Sequence, residues 1–98
     1  MNIVKDLNGT TLTIALEGRL DTTTSPAANK EIETLGNVDN LVWDFEKLSY
    51  ISSAGIRVLL IAQKAMNRKD GSMKIINANE DVKEVFEVTG CNEIFTIE

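Results

Sequence analysis

The sequence predicts a single α/β domain in which a mixed β-sheet, opened by an antiparallel hairpin, carries helices packed against it. Three observations lead there. The stretch "TLTIALEG" (11–18) alternates apolar and polar residues behind an Asn-Gly pair, the signature of a strand leaving a hairpin. Two further short apolar runs, 41–45 and 73–77, are separated by a long segment of helical spacing, so strands and helices alternate. Finally, 98 residues, 43% hydrophobic and 26% charged, suffice for one core and leave no room for a second, so residues 1–98 are expected to form one domain.

In chain order, Asn8-Gly9 can adopt the positive φ angles of a tight turn, which makes residues 2–7 the antiparallel partner of the first alternating strand. In that strand Leu12, Ile14 and Leu16 point one way and Thr11, Thr13, Ala15 and Glu17 the other. After "GRLDTTT", Ser25-Pro26 supplies a hydroxyl that accepts from exposed N–H groups and a proline preset for the first helical position. Ala28, Ile32 and Leu35 then share a helical face, and Gly36 offers a left-handed stop. "LVWDF" and, after the Asp70-Gly71 turn, "MKIIN" read as strands. Between them "AGIRVLLIAQKAMNRK" has no breaker after Gly55 and sets Ile56, Leu59, Leu60, Gln63 and Met66 on successive turns. Lys64, Arg68 and Lys69 close this longest helix, where cations oppose the negative end of the dipole. Asn79 caps a third helix with Val82, Val85 and Phe86 on one face before Gly90, and "IFTI" ends the chain as a short strand. The expected order is β-β-α-β-α-β-α-β, with Trp43 and Phe86 in the core.

Fifteen acidic against ten basic residues give a formal charge of −5, which repels phosphate backbones and anionic lipid and argues against nucleic acid as a direct partner. No apolar stretch approaches the roughly 20 residues of a membrane helix, so no insertion into a membrane is expected. One cysteine, Cys91, and an opening "MNIVKDLNGTT" without a signal-peptide core point to the cytoplasm.

The most informative junction is "YISSAGIRVLL" (50–60), where Ser52, Ser53, Ala54 and Gly55 separate two apolar runs. This is a strand-to-helix turn at which Ser52 or Ser53 can cap the long helix. A nucleophilic serine would need a proton acceptor; the chain has no histidine, and "ISSAG" lacks the Gly-x-Ser-x-Gly elbow. No phosphate-binding glycine loop is present, and without histidine a zinc site is disfavoured, so neither a catalytic residue nor a cofactor is expected. A third chemistry uses the hydroxyl as a kinase substrate. A phosphate there adds about −1.5 to −2 charges, which a helix N-terminus tolerates and an apposed protein surface does not.

The segments "EGRLDTTT", "LVWDFEKLSYISSAGIRVLL", "GSMKIIN" and "VKEVFEVTGCNEIF", in that order over nearly the whole chain, resemble the STAS domain of anti-sigma factor antagonists. The resemblance implies a protein whose unphosphorylated form binds an anti-sigma factor, usually a serine kinase, and thereby frees a sigma factor. Phosphorylation at the start of the long helix ends the complex, and a serine phosphatase resets it. The family turn is Asp-Ser-Ser/Thr-Gly with the acceptor directly after the aspartate, which makes Ser53 the acceptor here. Ser52 stands in the aspartate's place, as an alternative acceptor, and Ala54 in that of the second hydroxyl residue.

The resemblance also assigns a docking surface to Asp21, Thr22 and Thr23 together with Ser52, Ser53, Ala54, Gly55, Ile56 and Arg57. The residues themselves leave other roles open: a polar turn for Asp21, the core for Ile56, a solvated surface or a phosphate partner for Arg57, local hydrogen bonding for Asp44. Two rival functions remain: a STAS subunit of a transporter or signalling scaffold that is never phosphorylated, and a nucleotide binder built around Asp21, Asp44 and Ser53.

Overall fold

A computed structural model describes all residues, 1–98. The chain runs β1 (Asn2–Asn8), β2 (Thr11–Leu20), α1 (Ser25–Glu33), β3 (Asn40–Asp44), β4 (Leu48–Ile51), α2 (Ser53–Arg68), β5 (Ser72–Ile76), α3 (Glu80–Val88), a 3₁₀ turn (Cys91–Glu93) and β6 (Thr96–Ile97). β1 and β2 form the expected antiparallel hairpin, with Asn8 paired to Thr11. The turn is therefore Gly9-Thr10 rather than Asn-Gly: Asn8 is the last strand residue, and Gly9 at φ +64° takes the left-handed conformation alone. Glycine first in a two-residue loop is one of the two arrangements that match strand twist.

The sheet order is β1-β2-β3-β5-β6, with every pairing after the hairpin parallel. Leu12, Ile14 and Leu16 of β2 are buried and join Trp43, Ile75, Ala28 and Ile32 of α1, and Leu59, Ala62 and Met66 of α2 in one core. Lys69 Nζ donates to Gly36 O at 2.5 Å and ties the end of α2 to the loop after α1. Asn79 caps α3 by accepting from Val82 N–H at 2.8 Å while its Nδ2 donates to Leu48 O at 3.1 Å. Phe86 of α3 meets Phe95 edge to face, centroids 6.0 Å apart.

One element lies outside the expected order. β4 pairs in parallel with residues 18–20 of β2, after a shift of register between Gly18 and Arg19. Its four residues place Leu48 and Ile51 inside and Ser49 and Tyr50 outside, which leaves no period of two to read. β4 matters because it delivers the chain to the start of α2. Both α1 and α2 then begin just past the carboxyl ends of neighbouring parallel strands, β2 and β4, the position at which open α/β sheets place their ligand crevices. No helix is long and apolar enough to cross a membrane.

Candidate functional site

The Ser-Ser-Ala-Gly junction divides its labour. Ser52 is the N-cap of α2: its N–H donates to Leu20 O at 3.0 Å, its carbonyl accepts from Ile56 N–H at 3.0 Å, and its Oγ accepts from Gly55 N–H at 3.4 Å. Ser53 is the first helical residue, exposed, and its hydroxyl makes no hydrogen bond within the protein. The N–H groups of Ser53 and Ala54 likewise have no protein acceptor, as expected of a first helical turn. Of the two serines, one is committed to holding the helix and the other is presented to solvent.

Gly55 and Ile56, both expected on the docking surface, lie beneath it. A Cβ on Gly55 would sit 2.8 Å from Leu20 Cγ, 2.8 Å from Ile51 Cγ1 and 2.9 Å from Leu20 O. The close approach that glycine permits is made by β2 and β4 of the same chain, not by another protein. Ile56 is 8% exposed and its side chain belongs to the core, because the inward face of α2 begins there.

Around Ser53 the starts of α1 and α2 enclose an open cavity of about 350 Å³. Thr22, Ser53, Ala54 and Arg57, all expected at the site, line it together. Arg57 follows Ser53 by one helical turn on the same face, is exposed, and makes no ion pair. The opposite wall is α1, with Pro26 and Asn29. Asn29 was not expected; its side chain forms no hydrogen bond, and its Oδ1 is sealed from solvent without a donor. A polar residue on a surface helix carries no signal of this in sequence. Ser25, 6% exposed, is already engaged through its hydroxyl, which donates to Asp21 O at 2.5 Å.

Asp21 and Thr23 stand beside the cavity rather than in its wall. Asp21 Oδ1 accepts from the Thr23 hydroxyl at 2.8 Å, Thr23 N–H at 3.0 Å and Thr24 N–H at 3.3 Å. The Thr23 hydroxyl, opposed by partial burial and reinforced by these N–H groups, holds the carboxyl at about 2. Asp21 thus shapes the 21–24 turn that leads into α1. Its Oδ2 also meets Arg19 Nε at 3.5 Å, and the Arg19 guanidinium lies 4.1 Å from the centre of the exposed Tyr50 ring. Arg19 and Tyr50 meet only because β4 pairs with β2, so sequence reasoning did not bring them together. Asp44 accepts from Glu46 N–H and Asn77 Nδ2, both at 3.1 Å, the local role left open for it, and lines a separate cavity beside β1 and β2. Asp21, Asp44 and Ser53 do not converge on one cavity, and no cluster of metal-ligating side chains is present.

The family model of the STAS domain matches residues 2–98. The chain belongs to the STAS domain family. This STAS domain is 36% identical over 75 residues to BtrV of Bordetella bronchiseptica, provisionally named an anti-sigma factor antagonist; the match covers 72% of the chain and 65% of BtrV. It is 26% identical over 100 residues to the anti-sigma-B factor antagonist of Bacillus subtilis, covering 99% of the chain and 92% of that protein. Among solved structures, SpoIIAA in its unphosphorylated form superposes with a TM-score of 0.79 at 22% identity, covering 99% of the chain and 87% of SpoIIAA. The phosphorylated form of the Bacillus protein gives 0.78 at 23% identity, covering 99% and 91%. These likenesses establish the mixed-sheet STAS fold described above.

Proposed function

We propose that this STAS domain is an anti-sigma factor antagonist. Its unphosphorylated form binds an anti-sigma factor with serine kinase activity and so frees a sigma factor, and phosphorylation of Ser53 ends the association. The names of its relatives support the antagonist reading. The observation that carries the switch is the exposed, unbonded Ser53 hydroxyl at the first position of α2, beside a Ser52 occupied as the cap. A kinase can reach Ser53 Oγ without disturbing any bond that holds the helix.

In the transfer, Ser53 Oγ forms a bond to the γ-phosphorus of a nucleoside triphosphate on the kinase as the bond to the bridging oxygen breaks. Nucleoside diphosphate leaves, and the hydroxyl proton passes to a base on the kinase. A serine phosphatase restores the hydroxyl with water. The domain itself supplies no catalysis and needs no cofactor; it acts in the cytoplasm, by protein contact and not by contact with nucleic acid. The phosphate adds about −1.5 to −2 charges at a surface that must be desolvated on docking. A penalty of about 3 kcal/mol there lowers affinity roughly a hundredfold.

The test is incubation with the cognate anti-sigma kinase and ATP, followed by peptide mapping and a binding assay. The expected result is one phosphate on Ser53 and loss of the complex, with Ser53→Ala unlabelled and still bound. Labelling confined to Ser52 overturns the site, and undiminished binding by a verified phosphoprotein overturns the switch.

A further inference from the structure

We propose that the domain carries its own receptor for the phosphate on Ser53: the group is held in the cavity between α1 and α2 by Arg57 and Asn29. This inference rests on Ser53 being the residue that is modified. Arg57 is the one ionisable side chain lining that cavity and is without an ion-pair partner, one turn along the same helix face. A planar guanidinium with five N–H donors is matched to phosphate oxygens, so an Arg at this spacing binds the group its own helix presents.

Asn29 is the independent observation. It reaches the cavity from α1, forms no side-chain hydrogen bond, and buries its Oδ1 without a donor. Buried amide atoms are ordinarily paired, and one left unpaired costs stability. The amide's other atom, Nδ2, is a donor that bonds to nothing in the protein, on a residue that lines the cavity. Thr22 adds a hydroxyl with no partner in the protein, and the N–H groups of Ser53 and Ala54 are free at the same helix end. The remaining polar groups nearby are already engaged. The Ser25 hydroxyl donates to Asp21 O, and the Asp21 carboxylate is turned toward Thr23, Thr24 and Arg19, so its charge is answered within its own turn. The cavity beside Ser53 is therefore supplied with unsatisfied donors from both helices and has no carboxylate in its lining.

Phosphorylation then does more than repel a partner. It joins α1 to α2 through a charged link, stabilises the modified fold, and shields the phosphate from the phosphatase while the link holds. The second ionisation of a phosphoserine, about 6 in an exposed peptide, falls when a guanidinium and N–H donors bind the dianion. The added stability is thus fully present above about pH 6 and lost as the solution is acidified through the lowered value.

The test uses the full chain with phosphoserine placed at position 53 by genetic encoding, so that it does not depend on any kinase. Thermal unfolding and a ³¹P titration are compared for the modified and unmodified chain, each also carrying Arg57→Ala, Asn29→Ala or both. The expected result is a midpoint raised by about 4–8 °C at pH 7.5 on phosphorylation and a phosphate ionisation below 6. Both effects, each read as the difference between the modified and unmodified forms of the same variant, should shrink with either substitution and vanish with both. A modified chain that melts no higher than the unmodified one, or keeps its gain in the double variant, overturns the receptor. Loss of anti-sigma binding without a gain in midpoint sinks this inference alone. A kinase that ignores Ser53 sinks the functional reading and leaves this measurement standing.

Discussion

Gly55→Ala tests how the acceptor serine is seated. The added Cβ would meet two internal side-chain carbons, Leu20 Cγ and Ile51 Cγ1, and the Leu20 carbonyl oxygen, all closer than 3.0 Å. None of the three is the free end of a flexible chain, since Leu20 is 0% and Ile51 3% exposed. Overpacking a core costs about 1–3 kcal/mol, and alanine returns up to about 1 kcal/mol over glycine in a helix. Because one contact is main-chain, the overpacking falls toward the upper end, for a net loss of about 2 kcal/mol. In a domain of this size that lowers the melting midpoint by about 8–16 °C. The displaced carbonyl is also the acceptor of Ser52 N–H, so the loss should come with altered amide protection at 52–56. Leu20→Ala frees part of the space the new Cβ needs, so the double variant should be less destabilised than the two single changes added together, by about 0.5–3 kcal/mol. Chemical denaturation of the four chains measures the cycle. A neutral or stabilising Gly55→Ala, or strict additivity with Leu20→Ala, refutes the packing argument.

Three further outcomes follow from the same geometry. Ser52→Ala removes a cap whose hydrogen bond is long, 3.4 Å, so it should cost about 0.5–1 kcal/mol in denaturant titrations and leave phosphorylation at Ser53 intact. Ser53→Ala should stay within about 0.5 kcal/mol of the parent, since the hydroxyl bonds to nothing in the protein, while abolishing phosphate incorporation. Asp21, held at about 2 against an ordinary 3.8, contributes stability that is present above about pH 4 and lost as pH falls toward 2. Melting midpoints of the parent and Asp21→Asn should therefore differ at neutral pH and converge in acid; curves that stay parallel down to pH 2 would show that the carboxylate does not organise its turn.

What was legible in the sequence was whatever repeats with a period. β2 declared itself by alternation and α2 by a breaker-free helical face, and Asn79 announced α3 because a cap needs a particular side chain at a particular place. β4 did not, because four residues buried at their two ends show neither period, and its partner is fixed by a register shift in β2 that no local pattern records. The site divides the same way. Ser53, Ala54 and Arg57 share one helix end and could be read together; Asn29 becomes part of the site only when α1 and α2 are laid side by side. Gly55, expected on the docking surface, is instead where Leu20 and Ile51 of the same chain press against α2, a contact between distant segments that no local pattern records.

That correction bears on why a single hydroxyl can serve as a switch. Everything that positions Ser53 is made by its neighbours: Ser52 bonded to Leu20 O, Ile56 bonded to Ser52 O, Gly55 pressed against β2 and β4. The side chain at 53 takes no part in its own placement. A group that contributes nothing to the unmodified fold can be charged without breaking any bond that seats the helix, so modification costs the fold none of its existing contacts, whatever partners the phosphate then gains in the cavity. For a domain whose total stability is of order 5–15 kcal/mol, that separation is what lets a penalty of about 3 kcal/mol at a docking surface weaken association without unfolding the domain. A serine that also capped its helix, as Ser52 does, would have coupled the two.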